Sequence, residues 1–435
     1  MSEEHLQFGT QALHAGYDRE FVARASSTPI YQSAAFDMVS VERGDRLSSG
    51  EEQGFSYSRV ANPTVDTLER RLAQLEGGIG AVATASGMAA ISFALLAAAE
   101  GGGHIVSAAE LYGASVDAME TFFPQFGIET TFVDDINDLA AVEQAIQPNT
   151  RAIFAETVAN PSTVVTDIAS LAKLAHRHGI PLIIDNTVPT PYLCRPIELG
   201  ADVVVHSTTK GITGHGNALG GIVIDSGNFD WAAGKHPQFT QEELVVSDEE
   251  HGVWHSFASA FGKEAYIRRV RIKYLRTFGA VPSPFNAYLQ LIGLETIVQR
   301  VRQQVQSATR IAQYLQHHSH VRQLNYSGIG TTGQTDLVHT MLPKGVGQVL
   351  SFTFDGTAEQ MNRFINATTV FSYIPNIGDS KSLIVNPAKI THREVPRRLR
   401  EVAGVSDNLI RLSIGLEDAD DLIADLEQAF AVAFG

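Results

Sequence analysis

A lysine placed directly after a buried strand can do chemistry that a solvated lysine cannot. Lys210 lies in the run His206-Ser207-Thr208-Thr209-Lys210-Gly211, behind the apolar, β-branched segment 203–206. Such a position falls at the C-terminal edge of a sheet, where ligand sites of α/β proteins form. An amine partly removed from water has a lowered pKa and can form a Schiff base with a carbonyl. Asp185 ends another apolar segment, 180–185. A carboxylate there can pair with the protonated ring nitrogen of a flat heterocycle and strengthen it as an electron sink. Singly, each residue has a plainer reading: Lys210 as a solvated lysine, Asp185 as a cap for the loop through Asn186-Thr187. Two strand ends carrying Asp and Lys, one connection apart, make the chemical reading sharper.

Other segments supply what such a pair would need. Ser207 and Thr209 offer two hydroxyls for an anion, and Gly214, Gly216, Gly220 and Gly221 let backbone approach a ligand closely. Ser86-Gly87-Met88 opens a helix, whose unpaired N–H groups and positive dipole end suit a phosphate, although Ser86 also reads as an ordinary N-cap. Tyr112, in Leu111-Tyr112-Gly113, can stack on a flat ring and carry a proton, or be a rim tyrosine. Arg411, amid apolar neighbours in Ile410-Arg411-Leu412-Ser413, calls for a bidentate carboxylate from a substrate or from an internal Asp or Glu. Tyr57-Ser58-Arg59 could reach a phosphate or form a solvated loop. His176 and His178 face different sides of a helix, so no metal site is expected, and Cys194 reads as a packed thiol. Gly78-Ile79-Gly80 precedes its strand and fails the dinucleotide fingerprint, and no Gly-Lys-Ser/Thr phosphate loop is present.

The elements that must position these residues alternate. Short apolar strands are predicted at 81–85, 104–108, 130–133, 151–156, 180–185, 203–206 and 219–224, with helices through 99 and at 112–126, 138–146 and 167–178. This pattern predicts an α/β fold with a largely parallel sheet covered on both faces. Before it, residues 1–60 lack a sustained period and read as an extended arm. Asn62-Pro63 then starts a helix carrying Val65, Leu68, Leu72 and Leu75, stopped by Gly77-Gly78. A basic stretch at 261–278 marks the expected boundary between a large domain, 61–270, and a smaller α+β domain, 271–435. The latter is predicted to hold one long helix over 289–315, a strand over 349–354 and an amphipathic helix over 420–434.

Composition narrows the class. The 435 residues are 44% hydrophobic and carry a net charge of −16, which argues against nucleic acid or an anionic membrane as partner. One cysteine excludes an intrachain disulfide and fits a reducing compartment. With no apolar leader at the N-terminus, and only a short Ala-rich run at 89–99, the expectation is a soluble cytoplasmic protein.

Together these segments resemble the Cys/Met-metabolism family of pyridoxal-phosphate (PLP) enzymes, over about residues 10–430. The most specific stretches are Asp185-Asn186-Thr187, Pro191-Tyr192-Leu193-Cys194-Arg195-Pro196, residues 206–216, Tyr57-Ser58-Arg59 with Asn62-Pro63-Thr64, and residues 410–418. The resemblance implies a fold-type I, aspartate-aminotransferase-like architecture with a mainly parallel seven-stranded sheet. It implies that Lys210 bonds pyridoxal 5'-phosphate, Asp185 holds its ring nitrogen, Tyr112 stacks on the ring and Asn160 lies near its hydroxyl. Ser86, Gly87, Met88, Ser207 and Thr209 would hold the phosphate. Tyr57 and Arg59 would reach it from a neighbouring subunit, which implies a dimer at least and a tetramer by family habit. Substrate contacts would come from Arg411, Asn376 and Tyr57. Within the family the chain is most similar to the O-acetylhomoserine sulfhydrylase branch, through residues 190–196, 283–287 and 376–383. That implies exchange of a γ-acetoxy group for sulfide or a thiol, in methionine and cysteine biosynthesis. Relatives using O-succinylhomoserine or cysteine, and γ-lyases, are the alternatives, with a catalytically silent PLP-fold binding protein the most remote. Ala114 stands where methionine γ-lyases carry cysteine. Gly211, Ile212, Asn386 and Lys389 depart from the family pattern near the expected substrate side.

Overall fold

The computed structural model describes residues 6–18, 20, 23–246 and 252–435. Its large sheet contains β1 (Gly80–Thr84), β2 (His104–Ala108), β3 (Glu129–Val133), β4 (Thr150–Glu156), β5 (Leu182–Asp185), β6 (Val203–His206) and β7 (Gly221–Asp225). They lie in the order β1-β7-β6-β5-β4-β2-β3. All neighbours run parallel except β7, which is antiparallel to β1 and β6. The central strands are continuous apolar runs because both faces are covered; Ile183, Ile184, Val204 and Val205 are fully buried.

Four helices precede β2: α1 (Phe8–His14), α2 (Val41–Ser49), α3 (Pro63–Glu76) and α4 (Gly87–Ala99). Helix α3 begins as its sequence dictates, with Asn62 accepting from Thr64 N, Pro63 in the first turn and Gly77 closing it at φ 83°. Its Leu68, Leu72 and Leu75 are fully buried. Helix α4 is apolar on nearly every side and packs against β4, β6 and β7, as expected of a helix with no solvent face.

A second sheet has β8 (Val321–Asn325), β9 (Val349–Phe354), β10 (Ser372–Tyr373), β11 (Leu383–Val385) and β12 (Leu409–Ser413), in the order β10-β11-β12-β9-β8. Helices Ala358–Ala367 and Ala419–Phe434 pack together beside it around Phe352, Phe354, Phe364 and Phe430. Helix Pro284–Glu295 packs instead on α3. Among the described residues no helix is long and apolar enough to cross a membrane.

Three local expectations change. The predicted single helix over 289–315 is two, Pro284–Glu295 and Ile297–Gln316, broken at Thr296. There Thr296 N turns back to Gly293 O and Arg300 Nη2 binds the same carbonyl at 2.5 Å. The expected extended arm contains α1 and α2. Ser40 caps α2 and Gly50 ends it at φ 83°, but it buries no residue and so carries no apolar stripe to read. The helix predicted over 112–126 is a succession of short helical turns: α-helical Gly113–Asp117, π-helical Ala118–Phe122 and 3₁₀ Phe123–Phe126.

Candidate active site

Strands β5 and β6 are parallel neighbours with Asp185 opposite Val205. Asp185 and the turn after His206 therefore leave the sheet side by side. That turn is closed by Lys210 N to Ser207 O, Thr213 N to Thr208 O and Gly214 N to Lys210 O. From below, the buried Arg300 guanidinium donates to Gly211 O at 2.9 Å and Ile212 O at 3.2 Å. Arg300 was not among the residues singled out from the sequence; it lies far along the chain in an amphipathic helix and carries no motif.

The Lys210 side chain is largely buried. Burial pushes its ammonium down to about 8, the like charge of Arg411 adds to this, and Asp379 opposes it. Its Nζ donates to Asn376 Oδ1 at 2.5 Å. The backbone of Asn376 is tied to Arg411, whose Nη2 donates to Asn376 O at 3.0 Å and Nη1 to Asn160 Oδ1 at 3.3 Å. Arg411 stands on β12 and is 2% exposed. Burial lowers its pKa to about 10, its Nε has no hydrogen-bond partner, and no carboxylate among the described residues pairs with it. The internal Asp or Glu that could have explained this arginine is thus absent among those residues, leaving a buried cation with a donor unused.

Asp185 is buried, and Thr187 N donates to its Oδ1 at 2.9 Å. Burial raises its pKa, against the hydrogen bonds from Thr187 and the pull of His206. A cation beside it would favour the ionised form. Opposite it on β4 is Glu156, which accepts from Tyr112 N at 2.6 Å and Asn160 N at 3.2 Å. Burial, and then the charge of Asp185, push Glu156 well above the usual carboxylate range. Its role was missed from the sequence, although two neighbouring strands that both end in a carboxylate were a signal. Glu156 fixes the start of the Tyr112 turn, leaving the tyrosine 38% exposed at the sheet edge. From the other side, His392 bonds Leu111 O, and a side chain on Gly113 would overlap Thr391 O.

The anion side forms where α4 starts. Ser86 Oγ accepts from Ala89 N, so Ser86 is an N-cap, while Gly87 N and Met88 N have no intrahelical acceptor. A Cβ on Gly87 would lie 2.5 Å from Ser207 Cβ, so two segments far apart in sequence share one cradle with room only for glycine. Thr209 Oγ1 is engaged with Gly220 O and Gly220 N. Tyr57 and Arg59 are not brought to this cluster within the single chain. Tyr57 is exposed, and Arg59 stacks on it and donates to Arg276 O.

The departures from the family pattern also find places. Gly211 lies against Thr190, whose Cγ2 a Cβ would meet at 2.8 Å, so the bulky neighbour usual there is not accommodated. Asn386 and Lys389 do not hydrogen-bond to the cluster: Asn386 donates to Asp407 O and Lys389 to Asn362 Oδ1. His176 and His178 each have their own carboxylate, Asp202 and Glu143. Among the described residues no group of three or more His, Cys, Asp or Glu could hold a metal ion. Burial pushes the Cys194 thiol up, away from a reactive thiolate.

A desolvated amine, a buried carboxylate on the next strand, a glycine-lined helix start and a buried arginine with a free N–H are a donor set that fits an aldehyde-bearing, phosphorylated pyridine and an amino-acid carboxylate. Residues 9–431 match the family of Cys/Met metabolism PLP-dependent enzymes. The chain belongs to that family. This PLP-dependent enzyme is 40% identical to the O-acetyl-L-homoserine sulfhydrylase of Corynebacterium glutamicum, over 98% of this chain and 97% of the relative. It is 39% identical to the homocysteine synthase of Schizosaccharomyces pombe over the full length of both. A solved structure from Campylobacter jejuni, named as an O-acetylhomoserine (thiol)-lyase, carries N'-pyridoxyl-lysine-5'-monophosphate. It is similar with a TM-score of 0.93 and 36% identity, covering 98% of this chain and 100% of that one.

Proposed function

We propose that this enzyme is an O-acetyl-L-homoserine sulfhydrylase, exchanging the acetoxy group of O-acetyl-L-homoserine for sulfide and releasing L-homocysteine and acetate. The observation that carries the reading is the chain Lys210–Asn376–Arg411–Asn160, which joins a buried amine to a buried arginine with a donor to spare. Full-length likeness to sulfhydrylases directs it to this substrate class.

In this reading Lys210 would hold the cofactor through its aldehyde, with Asp185 the partner of the ring nitrogen, Tyr112 of the ring and Asn160 of the ring hydroxyl. Ser86, Gly87, Met88, Ser207 and Thr209 would hold the phosphate. When bound, PLP supplies an electron sink that lets protons leave the carbons next to the amino group. Arg411 pairs with the substrate α-carboxylate, which fixes the plane of the amino acid. Asn160 and Asn376 O hold the guanidinium still for that contact. The Lys210 amine takes the substrate Cα proton at Nζ. Its lowered pKa of about 8 leaves an appreciable neutral fraction near neutral pH. Lys210 Nζ and the Tyr112 hydroxyl then carry protons at Cβ as acetate leaves Cγ and hydrosulfide adds there.

The exposed Tyr57 and Arg59 serve the phosphate and substrate of a neighbouring copy, which makes the working unit a dimer at least, and a tetramer by family habit. Residues 1–60 form the arm that reaches across, 61–270 the cofactor domain and 271–435 the smaller domain. The enzyme works in the cytoplasm, in keeping with its single reduced thiol.

The test offers acetyl-, succinyl- and phosphohomoserine with sulfide, methanethiol or cysteine and identifies products. Homocysteine and acetate from the acetyl ester with sulfide are expected. Ammonia and a 2-oxo acid as the main products, or preference for the succinyl ester, would overturn the assignment.

A further inference from the structure

Asn376 has two ends, and both are held. Its Oδ1 accepts from Lys210 Nζ at 2.5 Å and its Nδ2 donates to Asp379 Oδ2 at 3.3 Å. Turned over, the amide would face NH₂ against the lysine donor and oxygen against a carboxylate. An ionised carboxylate accepts and cannot donate, so Asp379 leaves Asn376 one orientation. Asp379 is itself pinned. Its Oδ1 accepts from Ser380 N at 3.0 Å, and its backbone carbonyl accepts from Gln304 Nε2 at 2.8 Å. Gly216, at φ 63°, leaves it room, since a side chain there would overlap the carboxylate. Asp379 and Arg411 are the charged groups acting on Lys210, from the loop between β10 and β11 and from β12, with opposite signs. Arg300, under the Lys210 turn, is occupied by carbonyls.

We propose that Asp379 is a positioning residue for Lys210. Acting through Asn376, it sets the amide so that its oxygen docks the lysine nitrogen, and its negative charge holds the proton on that nitrogen against the neighbouring arginine. The inference rests on the reading of Lys210 as the residue that bonds the cofactor, and it assigns to Asp379 a function that no sequence motif suggested.

Two full-length variants separate orientation from charge. Asp379→Asn keeps the shape and, with its oxygen toward Asn376 and its NH₂ toward Ser380 N, keeps the acceptor for Asn376 at the cost of the Ser380 bond while removing the charge; Asp379→Ala removes acceptor and charge together. Titration of the holoenzyme's visible absorbance against pH reads the Lys210 nitrogen directly. Both variants should move its midpoint to lower pH, on the order of half a unit. Re-uptake of PLP by the full chain after the cofactor is stripped, measured at about pH 10 where Lys210 is neutral in all three proteins, reads docking free of the charge effect. Asp379→Ala should slow it about tenfold, with Asp379→Asn recovering most of the rate. Unchanged midpoints in both variants would overturn the inference, because a loop-stabilising aspartate alone does not move them. Equal slowing of uptake in both variants would remove the orienting role. The wild-type enzyme is reduced with borohydride alongside. Label at Lys210 together with unchanged variants defeats this inference alone, whereas label elsewhere defeats the Lys210 assignment beneath it.

Discussion

Replacing Arg411 with lysine keeps a positive charge on β12 but removes a forked donor. The guanidinium donates to Asn160 Oδ1 at 3.3 Å and to Asn376 O at 3.0 Å, and buries an Nε with no partner. An ammonium is a point donor and cannot serve those two acceptors and a substrate carboxylate in one plane. Charge-assisted hydrogen bonds contribute about 1.5–3 kcal/mol each. Losing one of the two that a carboxylate would receive costs the same, or roughly 10- to 100-fold in substrate affinity at about 1.4 kcal/mol per factor of ten. Steady-state kinetics of Arg411→Lys with O-acetylhomoserine should show that rise in KM with a smaller change in kcat, and the bound cofactor's absorbance should stay as in wild type. An unchanged KM would refute the carboxylate assignment. So would loss of the cofactor spectrum with substrate affinity intact, which would place Arg411 on the cofactor instead.

Four further outcomes are expected. Gly87→Ala puts a methyl group 2.5 Å from Ser207 Cβ and 2.8 Å from its Oγ; overpacking of this kind costs about 1–3 kcal/mol, and equilibrium dialysis should show weaker retention of PLP. Glu156→Gln leaves the N–H of Tyr112 or Asn160 facing an amide NH₂, an orphaned donor worth about 1–3 kcal/mol, and kcat should fall. Glu156 has a raised pKa, so its stabilising contribution is whole below the ordinary carboxylate range and is lost as pH rises through the raised value. Melting curves should therefore show the stability gap between wild type and Glu156→Gln narrowing as pH rises. Finally, with Lys210 held near 8, PLP uptake by stripped protein should accelerate through about pH 8 and then level off. A rate still climbing at about pH 10 would indicate an ordinary lysine.

The sheet was legible because its strands are short, apolar and bounded by turn residues, so that 203–206 and 104–108 coincide with β6 and β2. The placement of Asp185 and Lys210 was legible for the same reason: Asp185 closes one apolar run and Lys210 lies in the turn that follows another. What supports them was not. Glu156 acts through backbone N–H groups of Tyr112 and Asn160, and Arg300 through backbone carbonyls, contacts that leave no pattern in side-chain type. The break at Thr296 was hidden because the helical period runs through it while one carbonyl, Gly293 O, is shared by a tighter turn and a guanidinium. The pairing of Gly87 with Ser207 is a tertiary contact between two motifs that the sequence shows only one at a time.

The most direct test of the account is reduction of the holoenzyme with borohydride followed by peptide mapping. The pyridoxyl label is expected on the nitrogen of Lys210, and Lys210→Ala should neither take the label nor turn over substrate. A label on another lysine, or a reduced protein carrying none, would contradict it.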